Sequence, residues 1–166
     1  MSHLEEHNVI THKQHAFRKH HSCETQLCSV IHDWARNIDK SKQTDIFILD
    51  FEKVFDTVPH EQLKAKLYRY GITGKPLVWI DPFLCYRKQC VVMNGTKYYW
   101  SVVQSGVPQG TVSVLFSLHI NDTLDNISSD KRLFADDWVC CRVIDSTEDC
   151  KILQNDIDEL GSWARK

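Results

Sequence analysis

Three aspartates carry the chemistry available to this chain. Asp50 closes the apolar run Ile46-Phe47-Ile48-Leu49, and Asp136 and Asp137 follow Leu133-Phe134-Ala135. A carboxylate at the end of an apolar, strand-like run is either a solvated turn former or a group kept for its charge. The first is the everyday use of aspartate, and neither position alone argues for more. Brought together, three carboxylates supply hard oxygen ligands that suit magnesium. Two such ions, about 3.5–4 Å apart, clamp the attacking and leaving oxygens of an in-line phosphoryl displacement. That is the chemistry of joining nucleotides.

The elements that must position these groups can be read from pattern. Leu27, Val30, Ile31, Trp34 and Ile38 recur at helical spacing and predict an amphipathic helix over 23–39. Residues 44–51 form a short apolar run, expected as a buried strand with Asp50 at its end. Pro59 opens a helix through Leu63, Leu67 and Tyr70, which Gly71 stops. A further helix over about 75–86 contains Pro82, which should kink or interrupt it. Residues 90–93 and 98–103 flank Asn94-Gly95, the strongest hairpin signal in the chain. A helix after Thr111 should carry Leu115, Phe116, Leu118 and His119 toward Leu124. Residues 132–135 and 139–143 read as two strands with Asp136-Asp137 at the turn. Ser146 and Asp149 fit a capping box for a last helix whose inner face is Leu153, Ile157, Leu160 and Ala164. Helices alternating with a few antiparallel strands give an α+β fold, a small sheet backed by helices.

Between the acidic positions lies Ser105-Gly106-Val107-Pro108-Gln109-Gly110-Thr111, a turn whose backbone can approach a ligand closely. Taken in order, the segment Phe47 to His60 around Asp50, this glycine-rich loop, and Phe134-Ala135-Asp136-Asp137 resemble motifs A, B and C of the reverse transcriptases of non-LTR (jockey- or LINE-like) retrotransposons. The stretch Gln14-His15-Ala16-Phe17-Arg18 through Leu27 resembles that family's fingers-side motif. Trp79-Ile80 with Phe83-Leu84, and Ile120-Asn121-Asp122, are similar to other recurrent words of the family.

The resemblance implies a partial RNA-directed DNA polymerase: a fingers-side remnant over about 1–45, a palm over about 46–145, and a C-terminal palm helix over about 146–166, with no thumb. It implies that Asp50, Asp136 and Asp137 are catalytic and hold two Mg²⁺ ions, with Mn²⁺ as a possible substitute. Phe55 would lie under the sugar of the incoming nucleotide and favour deoxynucleotides. Gly106, Gln109 and Gly110 would shape the nucleotide pocket, and Arg18 would contact nucleic acid. The implied partners are an RNA template, a DNA primer and deoxynucleoside triphosphates. Asp56 matches the family as a structural residue.

The chain departs from the family in four places. Ala16 replaces a glycine, and His20-His21 replaces a Gly-Arg pair. The segment after Val112 is about two residues short, and Trp138 stands where a small polar residue is usual, which would put a bulky ring beside the metals. Feeble or absent primer extension by the isolated chain is therefore expected. The alternative reading is a degenerate relic that at most binds nucleic acid weakly.

Composition bounds the rest. A chain of 166 residues, 42% hydrophobic and 25% charged, suits an ordinary globular domain. The net charge of −2 is not that of a globally basic nucleic-acid binder. Charge is uneven, however: residues 51–100 hold eight Lys/Arg against four Asp/Glu, and residues 101–166 hold six against eleven. No run reaches the roughly 18 apolar residues of a membrane helix, and the polar, acidic N-terminus is not a secretory signal. The expected setting is intracellular, with the seven cysteines as reduced, mostly buried thiols. His12, His15, His20, His21 and Cys23 cluster in sequence but fit no standard zinc spacing.

Overall fold

In chain order the elements of the computed structural model are α1 (Cys23–Asp39), β1 (Gln43–Asp50), α2 (Val54–Thr57), α3 (His60–Arg69), α4 (Lys75–Cys85), β2 (Lys88–Gln89), β3 (Val92–Met93), β4 (Thr96–Lys97), β5 (Ser101–Val102), α5 (Ser113–Ile120), a 3₁₀ turn (Asn121–Leu124), β6 (Asp130–Phe134), β7 (Asp137–Ile144) and α6 (Thr147–Ala164). The structure describes residues 4, 6–110 and 113–165. These elements pack as two compact units, one made of residues 1–52 with 120–166 and the other of residues 53–119. Small antiparallel sheets and helices make the fold α+β.

The first unit is organised by a three-stranded antiparallel sheet in the order β1-β7-β6. β7 is central and apolar. On its covered face Trp138 and Cys140 are buried, together with Leu133 of β6. Helix α6 supports that face. Its Trp163 ring lies 6.1 Å from Trp138 and 5.8 Å from Phe51, and Phe51 lies 5.1 Å from Trp138, edge-on. This three-ring cluster concentrates the burial that aromatic side chains supply.

β1 differs from expectation. It is an edge strand with one face covered along its length, while the other meets α1 only near its start, at Thr44, and is otherwise open, so its residues alternate: Ile46 and Ile48 are 42% and 68% exposed while Phe47 and Leu49 are half-buried. An alternating pattern is what an antiparallel strand with one open face requires. Asp50 belongs to the open set.

Both long helices form where the pattern places them, because their ends are set locally. Ser22 accepts from the Thr25 amide and the Thr25 hydroxyl answers at the Ser22 amide, which caps α1. Ser146 and Asp149 do the same for α6. The facing of α1 keeps only part of the expected stripe: Val30 is buried as expected, but Leu27, Ile31 and Ile38 are exposed and Gln26 is buried instead. Polar ties to the sheet account for this rotation. Asp33 pairs with Arg132 of β6 at 2.8 Å, and the Asn37 amide donates to the Thr44 hydroxyl at 3.1 Å. On α6, Leu153 and Leu160 are buried as expected but Ala164 is exposed. Asp156 takes an inner position instead, and its carboxylate accepts the Ser128 and Ser129 amides at 3.0 and 2.8 Å.

In the second unit α3 and α4 carry Leu63, Leu67 and Leu84, all fully buried. Pro82 does not interrupt α4, which runs on to Cys85. The hairpin turns at Asn94-Gly95 with φ of 51° and 79°, the left-handed pair this dipeptide favours. Its strands are shorter than expected: β3 pairs β4 next to the turn, and β2 pairs β5 further out. The segment after Val112 is helical from its first residue, since α5 begins at Ser113; Thr111 and Val112 lie outside the described residues. The cysteines are all free thiols, but only Cys140 is buried. Cys23, Cys28 and Cys150 sit on outward helix positions. Among the described residues no helix is long and apolar enough to cross a membrane.

Candidate active site

The antiparallel register of β1 and β7 sets Asp50 directly opposite Asp137. Cross-strand partners share one face of a sheet, so both carboxylates emerge on the open face that also carries Ile46 and Ile48. Phe134 and Asp137 pair across the β6–β7 turn, leaving only Ala135 and Asp136 in the connection. Ala135 has φ of 56°. A positive φ at the first position of a two-residue hairpin turn is normally a glycine's place. Asp136 is thus presented by a tight and strained turn next to Asp137.

Electrostatics register the proximity. The Asp137 carboxyl is pushed above the ordinary aspartate range, first by burial, then by the Asp136 charge, then by the Asp50 charge. An all-carboxylate donor set on an open face fits a hard divalent cation. Among the described residues, however, no three His, Cys, Asp or Glu side chains are gathered closely enough to hold an ion. Trp138 does not intrude on this face. Side chains alternate along β7, and its ring lies in the core on the other side, 1% exposed. The expectation of a bulky ring beside the metals is corrected by that alternation.

In the second unit the glycine-rich loop folds back onto the residues that follow Asp50 in sequence. The Val107 amide donates to the Phe55 carbonyl at 2.7 Å, and the Gly106 amide donates to the Val58 carbonyl at 2.8 Å. The Ser105 hydroxyl donates to the Asp56 carbonyl at 2.8 Å. Gly106 sits at φ of 86°, and a Cβ there would lie 2.7 Å from Asp56 Cα, Asp56 O and Phe55 O. No side chain fits. The Gly106 carbonyl accepts from His60 Nε2 at 2.9 Å and from Arg87 Nη2 at 2.5 Å, which assigns the proton of His60 to Nε2. Phe55 is buried, its ring centroid 4.1 Å from that of Phe116 on α5. Asp56 is exposed and takes part through its backbone. Gln109 and Gly110 are exposed, Gly110 with φ of 89°.

Arg18 lies in the first unit and is half-buried. Its Nη1 donates to the Thr11 carbonyl at 3.0 Å and the Gln14 carbonyl at 3.4 Å. Within the histidine cluster, His15 and His21 meet edge to face at 5.0 Å. The His15 pKa is lowered, mainly by burial and then by the charges of His21, Arg132 and Arg18.

Sequence reasoning assigned no role to several residues that shape these loops. His60 and Arg87 fix the Gly106 carbonyl, and Gln14 bonds the backbone of the β6–β7 turn that carries Asp136. Gln14 stands inside a motif already singled out, so its place there is a signal. Its contact is not, because 121 residues separate the partners.

A family model described as reverse transcriptase (RNA-dependent DNA polymerase) matches residues 1–166, the whole chain. No curated protein matches.

Proposed function

The chain belongs to the reverse transcriptase family of RNA-directed DNA polymerases, and from that premise we propose that it is the palm and part of the fingers of a non-LTR retroelement enzyme. The residue boundaries proposed are those of the motif reading, with fingers-side sequence to about 45, palm to about 145 and a closing helix beyond. The observation that carries the reading is the register of Asp50 against Asp137, with Asp136 held in the adjoining two-residue turn.

The reaction is an in-line displacement. The primer 3′-oxygen loses its proton and bonds to the α-phosphorus of a deoxynucleoside triphosphate, while the bond to the departing pyrophosphate breaks. When bound, magnesium or manganese supplies charge neutralisation and a lowered pKa for that hydroxyl. Asp50 and Asp136 are proposed as the ligands shared by both ions, and Asp137 as the third carboxylate of the set. Phe55 is proposed to select deoxynucleotides by filling the space of a 2′-hydroxyl. Its packing against Phe116 fixes the ring and the bond from Val107 fixes its backbone, and together they support that role. Gly106, Gln109 and Gly110 are proposed to shape the nucleotide pocket, and Arg18 to serve the nucleic acid. An intracellular site of action follows from such a template and primer.

The test pairs a metal titration with synthesis. Binding to the folded chain alone stabilises it by about 2.7 kcal/mol at a hundredfold excess over the dissociation constant. Magnesium should therefore raise the Tm of the wild-type chain and not of Asp136→Asn. DNA synthesis on an RNA template should need the metal and vanish in Asp50→Ala. A Tm indifferent to magnesium in both proteins, or synthesis that persists in Asp50→Ala, overturns the reading.

A further inference from the structure

Residues 13–15 run alongside the free edge of β6. The Leu133 amide donates to the Lys13 carbonyl at 2.9 Å and the His15 amide donates to the Leu133 carbonyl at 2.8 Å, in a parallel bridge of Gln14 with Leu133. The contact covers an edge that would otherwise present unpaired backbone groups. It also carries the Gln14 side chain to the end of the β6–β7 hairpin, where it is 1% exposed.

One oxygen there does two things. Gln14 Oε1 accepts the Ala16 amide at 2.9 Å, which folds its own loop, and the Ala135 amide at 3.1 Å, which belongs to the catalytic turn. Two N–H groups converging on one atom fix the orientation of the amide, since the reversed group would set its NH₂ against both donors. The consequence falls on Nε2, which is buried with no hydrogen-bond partner among the described residues. A buried polar group left unpaired opposes folding, and an apolar side chain of the same size would avoid it. The residue at 14 is therefore explained by what its oxygen holds rather than by packing.

What it holds is the first residue of the turn. Ala135 sits at φ of 56°, a region L-residues avoid, so the turn is not sustained by its own sequence. Asp136 is the next residue, and its direction follows from the backbone at 135. We propose that Gln14 is a positioning residue for the catalytic carboxylates: through the Ala135 amide it sets the turn that aims Asp136 toward the ions it shares with Asp50. The inference rests on the metal-binding reading above.

The experiment compares wild type, Gln14→Met, Gln14→Met/Ala135→Gly and Asp136→Asn as whole chains. Each is read in two ways: Mn²⁺ affinity from the spin resonance signal of the free ion, and amide exchange at residues 133 and 135 without metal. Gln14→Met keeps the length and removes the acceptor. It should leave Leu133 protected, expose the Ala135 amide, and weaken Mn²⁺ binding by about tenfold, the lower end of what loss of a supporting bond behind a metal ligand brings. Glycine at 135 makes the positive φ intrinsic and should restore most of that affinity. A merely structural role for Gln14 predicts no such rescue. Unchanged Mn²⁺ affinity in Gln14→Met, or an Ala135 amide as protected as in wild type, overturns the proposal. If wild type binds no Mn²⁺, or binding survives Asp136→Asn, the metal reading fails and the positioning claim with it. Holding of the turn by Gln14 is then judged by exchange alone. Should Gln14→Met fail to fold, Gln14→Asn withdraws the oxygen by one methylene and is read against the same outcomes.

Discussion

Replacing Gly106 by alanine should be the most damaging single-methyl change in the glycine-rich loop, and the structure says by how much. Two effects add. A non-glycine residue in the left-handed region costs about 1–2 kcal/mol, and Gly106 has φ of 86°. The new Cβ would also lie 2.7 Å from three atoms, Asp56 Cα, Asp56 O and Phe55 O. All three are backbone, so no side chain can swing away, and forced accommodation of this kind costs about 1–3 kcal/mol. The sum is about 2–5 kcal/mol, a large share of the roughly 5–15 kcal/mol that holds a domain folded. Gly110 is the control, because its φ of 89° is the same but a Cβ there meets nothing within 4 Å. Gly110→Ala should therefore lose only the backbone part. Urea denaturation followed by tryptophan fluorescence would give both values. The deficit of Gly106→Ala should exceed that of Gly110→Ala by at least about 1 kcal/mol. Equal losses would mean that the loop does not lie on the Phe55–Asp56 backbone, and the assignment of Gly106 to that clasp would be wrong.

Three further outcomes follow from the same geometry. Val30→Ala should cost about 1–3 kcal/mol and Leu27→Ala less than about 0.5 kcal/mol, since Val30 is 7% and Leu27 55% exposed; comparable losses in thermal melts would restore the stripe expected from periodicity, which has both residues on the inner face. The Asp149 carboxyl is held below its ordinary range by the Ser146 hydroxyl and then by Arg142. A depressed folded pKa contributes stability above the unfolded value that is lost as pH falls through the folded one. The stability gap between wild type and Asp149→Asn should accordingly stay constant from neutral pH down to about pH 4, where the unfolded carboxyl begins to take up its proton, and narrow below that as pH falls toward the lowered folded value; a gap that does not narrow in acid would refute the coupling. His20 sits at φ of 61°, so His20→Gly should raise stability by up to about 1 kcal/mol, the relief of a left-handed residue less the added chain freedom of glycine; a loss in the same melts would show the histidine side chain holding that turn.

What could be read from the chain in advance was whatever depends on neighbours in sequence. The ends of α1 and α6 are set by Ser22 and Ser146 with their partners three residues on, and the tight turn at Asn94-Gly95 by the φ those residues prefer. The facing of α1 was not legible, because apolar spacing assumes an apolar partner. The sheet offers Arg132 and Thr44 instead, which Asp33 and Asn37 answer. The half-open state of β1 was hidden for a related reason: a short run of Ile, Phe, Ile and Leu has the same composition whether one face is covered or two. Within the candidate site the carboxylates were visible as residue types. Their common face depends on the β1–β7 register, and the Gln14 contact on a partner far along the chain.

The departures from the family's usual sequence are not equal once the backbone is known. Ala16 replaces a glycine, yet it is absent from the positive-φ residues, which are Phe17 and His20 in this stretch. Its amide is held by Gln14 and its methyl group is buried, so the lost glycine removes no conformation that the segment uses. Trp138 adds bulk beside the aspartate pair in sequence but places it in the core with Phe51 and Trp163, where it supports the strand that presents Asp137. His20 alone stands with the strain of the missing glycine. A chain losing its function at random would be expected to lose the turn first, because a strained Ala135 and a buried Gln14 Nε2 without a partner among the described residues both oppose folding. Both are present, and each has its explanation in the presentation of Asp136. The costs borne by this structure thus fall where the proposed chemistry would need them, and poor catalysis by the isolated chain would have to be traced to other positions than Ala16 or Trp138.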